Sequence, residues 1–189
     1  MSSVDIVVGL SGVGKSTVLE EAMLLSDQDY KVINYGDRMF ETAKQEDLVD
    51  DRDEMKHLDI QTYKGLQKDA ADSIIEDIGD EQVIIDTHAA IKTPHGYIPG
   101  LPKEVIEEFD PERIIIIDAS SRELHRRAQK DSDRDREHDS VEDIEEYRYI
   151  AREMASTGSV LTGAYMKKIE NKDGGAQKAA RELVETLNS

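Results

Sequence analysis

"DIVVGLSGVGKST" (residues 5–17) carries an apolar run straight into three glycines, a lysine and the adjacent hydroxyls of Ser16 and Thr17. A core-building turn has no use for that sequel, whereas a polyphosphate pocket needs every part of it. "GLSGVGKS" fits the pattern G-x-x-x-x-G-K-[ST], with Gly9, Gly14, Lys15 and Ser16 at the fixed positions. Gly9, Gly12 and Gly14 leave the backbone free to converge its N–H groups on phosphate oxygens, and the helix after them adds its positive end. Lys15 is placed to reach the β- and γ-phosphates. Ser16 is placed to offer its hydroxyl to Mg²⁺, and Thr17 to lie beside the α-phosphate.

Outward from that loop, short apolar runs alternate with helical patterns. This is the signature of a parallel sheet covered by helices. Strands are expected at 5–10, 30–35, 82–87, 113–119 and 164–171. The first four carry β-branched runs suited to burial, and the last alternates as an edge strand does. Helices are expected at 15–27, 60–78, 141–155 and about 175–187. The expected fold class is therefore α/β: a P-loop NTPase three-layer sandwich on a five-stranded parallel sheet. One domain is expected over residues 1–189, with a short mobile lid at about 128–140, where residues 130–140 carry no apolar side chain.

Composition bounds the rest. The chain has no cysteine, so neither a disulfide framework nor thiolate chemistry is available. No apolar run approaches membrane-spanning length, and the opening residues do not read as a signal peptide, so a cytoplasmic protein is expected. Acidic residues number 42 against 24 basic ones, a formal net charge of -18, which argues against nonspecific nucleic-acid binding. The acidity is spread over nearly every segment rather than gathered in a tail. With few aromatics and little lysine, it points to adaptation to high salt, where self-repulsion is screened.

Which phosphate chemistry the loop serves depends on other segments. A GTPase switch would need N-K-x-D and D-x-x-G elements; "NKDG" (171–174) places Gly174 where the aspartate belongs, and "DTHA" comes after the third strand. A motor would need a larger chain. A small-molecule kinase needs a metal-side acid, an acceptor site and closing cations. Asp86 ends "VIID" at a strand's carboxyl end, where it could hold a Mg²⁺-bound water. "THAAIKTPHGYIPGLP" (87–102) packs three prolines and two glycines into a shaped wall, with Thr87 and His88 near an acceptor phosphate. His88 and His95 have no carboxylate or thiol partner in this stretch, so a zinc-type site is not expected. Arg127, Arg134 and Arg136 gather in an otherwise acidic chain and could close over the transferring group and exclude water; Arg126 and Lys130 are lesser candidates. Arg52, a lone cation in "EDLVDDRDE", suits an acceptor phosphate. Another nucleoside monophosphate kinase, a shikimate-like kinase and an ATP-binding module without transfer all remain open, because nothing in the residue chemistry selects a base.

At these same residues the sequence resembles the archaeal type of adenylate kinase. The resemblance is carried by "GLSGVGKST", "INYGDRMFETA", "DRDEMKHL", "IDTHAAIKTPHGYIPGLP" and "RDREHDSVEDIEEYRYIAREMA", from Val4 to about Ala164. It implies the reaction ATP + AMP ⇌ 2 ADP with Mg²⁺, an AMP-binding helical region at about 36–80 and a homotrimer. It also implies site residues. Gly9, Leu10, Ser11, Gly12, Val13, Gly14, Lys15, Ser16 and Thr17 would hold the ATP phosphates, Ser16 and (through water) Asp86 the metal. Asn34, Gly36 and Met39 would flank AMP, Arg52 would pair with its phosphate, and Thr87, Asp86 and His88 would stand near the phosphoryl path. Arg127 would stack on the ATP adenine, with Arg134 and Arg136 as lid arginines. The acidity exceeds what the family pattern requires and fits a halophilic source.

The salt reading is checked by circular dichroism and activity across a KCl series. Structure and turnover are expected to rise together toward molar salt, where the screening length falls to about 3 Å; full stability in dilute buffer would contradict it.

Overall fold

The computed structural model describes residues 3–130 and 140–189. Its centre is β1 (Val4–Val8), whose five residues are all buried. Ile6 and Val8 face one core and Val7 the other, as the two-residue period of a strand requires. β1 pairs in parallel with β3 (Gln82–Thr87) on one side and with β6 (Arg113–Asp118) on the other. β2 (Tyr30–Asn34) flanks β3 and β7 (Tyr165–Glu170) flanks β6, giving a five-stranded sheet of order β2-β3-β1-β6-β7. All of its pairings are parallel, as the sequence pattern requires.

Helices cover both faces. α1 (Lys15–Leu25) and α7 (Ala176–Leu187) share one core, where Val18, Leu19 and Ala22 meet Ala179, Ala180 and Leu183. The larger core on the other face takes α2 (Tyr35–Gln45), α3 (Ile60–Ile78), α4 (Lys103–Phe109) and part of α6 (Val141–Thr162). Each fully buried isoleucine, leucine or valine contributes about 1.5–3 kcal/mol relative to exposure. Asp5, the one acid inside β1, pairs with Arg113 at 3.1 Å at the end of the sheet away from the glycine loop.

Several expectations are corrected in detail. β2 is an edge strand, and Ile33 is its one buried residue. α6 runs past residue 155 to Thr162 and stops only where Gly163 takes a left-handed φ of 77°. Its start is fixed by a capping box between Ser140 and Asp143. α2, α4, α5 (Ser121–Lys130) and a 3₁₀ turn over Arg52–His57 lie outside the helices that the sequence pattern marks. The 87–102 wall is an antiparallel hairpin, β4 (Ala90–Thr93) and β5 (Gly96–Pro99), beyond the carboxyl end of β3. His95 is exposed at its turn. Of the expected lid at about 128–140, residues 131–139 lie outside the described residues, and with them Arg134 and Arg136.

Candidate active site

The glycine loop connects β1 to α1 at the sheet's carboxyl edge, beside the point where the strand order reverses between β1 and β3. Open α/β sheets bind ligands at that crevice. Gly12 and Gly14 stand at φ of 85° and 84°, a region that strains any residue with a Cβ. α1 begins directly after Gly14, so its first amides have no partner within the helix and point toward the loop. The Val13 side chain is buried in the core, which leaves only its backbone to serve the site. Ser16 and Thr17 are exposed in the first turn of α1.

Lys15 is 8% exposed and forms an ion pair with Asp86. The sheet register sets Asn34 beside Asp86, and Asn34 Nδ2 donates to the second carboxylate oxygen at 2.9 Å. The same Asn34 caps α2, accepting from the Asp37 amide at 2.9 Å. Burial, then the Arg52 charge, push the Lys15 ammonium down to about 8. The touching carboxylate opposes that and favours the charged ammonium.

Two clefts open beside the glycine loop. One, of about 270 Å³, is lined by Ser11, Gly36, Met39, Arg52, Thr87 and His88, with Tyr35, Tyr63 and Tyr147 among the aromatic walls. Five residues expected at the acceptor site thus share one cavity, while Asn34 reaches Asp86 instead. Arg52 is half exposed and paired with Asp37. Such a pair is worth only about 0–1 kcal/mol, so a dianion can displace the carboxylate cheaply. Burial first, then Lys15 and Arg52, lower His88 to about 4, leaving a neutral imidazole near pH 7. The other cleft, of about 400 Å³, is bordered by Gly12, Gly14, Thr17, Arg126, Arg127 and Lys130 on one side and by Asn171 to Gly174 on the other. Arg127 donates to the carbonyls of Val13 (3.1 Å) and Asn171 (2.8 Å) and to Asp173 (2.9 Å). Gly9 and Leu10 border a third, much smaller hollow beside Arg148 and Arg152.

The oxygen donors of Ser16 and Asp86 suit a hard cation such as Mg²⁺. Among the described residues no group of three or more His, Cys, Asp or Glu could hold a metal alone. A Mg²⁺ here would therefore be held largely by nucleotide phosphates, which is how that ion usually binds.

Comparison with known proteins fits this geometry. The family profile described as "AAA domain" matches residues 8–145. The adenylate kinase of Methanococcus aeolicus is 40% identical over 185 residues, covering 96% of each chain. That of Methanocaldococcus jannaschii is 41% identical over 189 residues, covering 98% of each. The chain belongs to the archaeal adenylate kinases. It is therefore a phosphotransferase of the nucleoside monophosphate kinase class. A solved shikimate kinase from Bacteroides thetaiotaomicron superposes with a TM-score of 0.62 at 12% identity over 99% of both chains, which shows a shared P-loop architecture.

Two features of this adenylate kinase are given no role by the sequence pattern. Arg148 on α6 forks onto Asp118 at 3.0 and 2.8 Å and reaches Ser121 at 3.0 Å, fastening α6 to the end of β6 beside the glycine loop. Asn171 and Asp173 line the second cleft, although "NKDG" fails as a guanine motif. Their signal is positional: a polar Asn-Lys-Asp-Gly cluster immediately after a sheet strand.

Replacing Lys15 by Met removes the cation at the centre of the site. Steady-state assays are expected to show turnover reduced by at least about 10²–10³-fold, with the circular dichroism spectrum retained. Retention of activity would remove Lys15 from the chemistry.

Proposed function

We propose that the chain catalyses ATP + AMP ⇌ 2 ADP with Mg²⁺, taking ATP in the cleft bordered by Arg127 and Asn171 and AMP in the cleft bordered by Arg52. The observation that carries this reading is a pair of clefts on the loop that bears one buried lysine, one lined by Ser11 and the other by Gly12, Gly14 and Thr17. A transfer between two nucleotides needs two such sites within reach of one cation. Gly9 to Thr17 would bind the ATP phosphates through backbone amides and the Lys15 ammonium. Arg127 would lie against the adenine end, and Arg134 and Arg136 would add charge over the transferring group. Gly36, Met39, Thr87 and His88 would hold AMP with its phosphate on Arg52.

The chemistry asks for positioning and charge, not for a nucleophilic side chain. The acceptor phosphate is already ionised near neutral pH, so no strong base is required. Lys15 would leave Asp86 for the phosphate oxygens as ATP enters, and Asn34 would keep Asp86 oriented. Ser16 and, through water, Asp86 would hold Mg²⁺ together with the nucleotide, and the ion would supply charge neutralisation. Neutral His88 adds no positive charge to the phosphoryl path and can donate or accept a hydrogen bond there.

Three finer properties complete the proposal. The charge of -18 supports salt adaptation. No helix among the described residues is long and apolar enough to cross a membrane, and a cytoplasmic setting is proposed with that. A homotrimer is supported by apolar side chains left uncovered around the β7 edge, among them Val160, Tyr165 and Met166.

The test is ADP formation, measured by ³¹P NMR in multimolar KCl, from ATP with AMP, CMP, UMP or GMP in turn. AMP is expected to be the preferred acceptor. Arg52→Ala is expected to raise the KM for AMP by about 10- to 100-fold, the worth of a charged hydrogen bond, and to leave the KM for ATP within about twofold. An equal rise in both constants would take Arg52 out of the acceptor site.

A further inference from the structure

The "NKDG" stretch has no part in the phosphoryl path proposed above, yet it touches the glycine loop from below. Asn171 sits directly after β7 and is 5% exposed. Its backbone N–H donates to the Asp118 carbonyl at 2.8 Å, and its own carbonyl accepts from Arg127 at 2.8 Å. With its main chain fixed on both sides, its Nδ2 donates to the Val13 carbonyl at 2.8 Å. The same carbonyl accepts from Arg127 Nη1 at 3.1 Å. A Cβ on Gly14 would stand 2.5 Å from that Nδ2, so the asparagine fits only because position 14 is glycine.

The Val13 carbonyl belongs to the peptide that also carries the Gly14 N–H. No peptide among the described residues is cis. In a trans peptide the C=O and N–H point in opposite directions. A carbonyl drawn toward Asn171 and Arg127 therefore turns the Gly14 N–H away from those two side chains, toward the inside of the glycine loop. Glycine at 12 and 14 leaves this stretch of backbone soft, and a flipped peptide would present a carbonyl oxygen to an incoming phosphate. Two outside donors on one oxygen hold the peptide in its anion-accepting orientation before any ligand arrives, and donors fixed in advance cost no reorganisation on binding.

We propose that Asn171 is a positioning residue for the donor phosphates, acting by holding the Val13–Gly14 peptide with its N–H toward the nucleotide. This rests on the reading of the Arg127 cleft as the ATP site. Arg127 shares the task, but its guanidinium also serves Asp173 and borders the cleft. Asn171 makes the deeper contact, being 5% exposed where the Arg127 side chain is 23% exposed. Asparagine is suited to it as a neutral donor: an aspartate there would set a carboxylate against a carbonyl and near the phosphates.

The experiment compares wild type with Asn171→Asp and Asn171→Ala in high KCl. Calorimetry reads the Kd for ATP, for inorganic tripolyphosphate and for AMP, and ¹H–¹⁵N NMR tracks the Gly14 amide. Loss of the buried bond is expected to weaken ATP and tripolyphosphate by about tenfold, with the larger loss in Asn171→Asp. AMP binding is expected to stay within about twofold, and the downfield shift of the Gly14 amide on adding tripolyphosphate to shrink. Unchanged ATP and tripolyphosphate affinity in variants that still bind AMP would overturn the inference. So would an equal loss for all three ligands, or failure of both variants to unfold cooperatively, since either would make Asn171 a structural residue only. A wild-type protein that binds AMP but neither ATP nor tripolyphosphate would instead overturn the ATP-site reading, and this inference with it.

Discussion

A charged ammonium held away from water must have a partner, and the site is organised around that constraint. Lys15 cannot retreat to solvent, because β1 and α1 fix its backbone and the loop closes over its stem. With no phosphate bound, Asp86 is the partner. Removing one member of a buried pair costs far more than a surface pair contributes, so either the carboxylate or a phosphate must stay with Lys15. In the proposed reaction, a phosphate that replaced the carboxylate would also free Asp86 to face the metal side.

The sheet order places two clefts beside the loop of a single lysine, as the proposed transfer requires. β1 lies between β3 and β6. The segment leaving β3, with Thr87, His88 and the hairpin, falls on one side of the glycine loop. The segments leaving β6 and β7, with Arg127 and Asn171, fall on the other. Asn34 caps α2 next to the Arg52 cleft while bonding Asp86, the ion-pair partner of Lys15. Arg148 fastens α6 to the end of β6 in the same layer. The clefts are products of topology, and side chains tune them.

How much of this is legible in the sequence depends on the range of the interaction. The five strands can be read because each is a short apolar or alternating run with turn signals at its ends; the glycine loop, because its spacing is fixed by backbone geometry. Tertiary context is less visible. β2 has the composition of a buried strand but sits at the edge, and nothing local separates the two cases. α6 runs through "STGSVLT", a poor helical stretch, until Gly163 offers a left-handed stop. Thr87, His88, Gly36, Met39 and Arg52 can be grouped through the family resemblance, although no spacing in the chain joins residues 36, 52 and 88. Asn171 stands out in the sequence for a motif it does not complete rather than for the contact it makes, since a bond across 158 residues leaves no local pattern. The roles of Arg134 and Arg136 rest on the sequence alone.

The central claim is that Lys15 has one anionic partner at a time, Asp86 before binding and phosphate after it. Thermal unfolding of Asp86→Asn against wild type, with and without inorganic tripolyphosphate and with metal chelated, tests it directly. The account predicts a lower Tm for the free variant, which lacks the carboxylate. It also predicts a larger rise in Tm on adding tripolyphosphate than wild type shows, because phosphate supplies the missing charge. Equal midpoints for the two free proteins and equal gains with the ligand would contradict it.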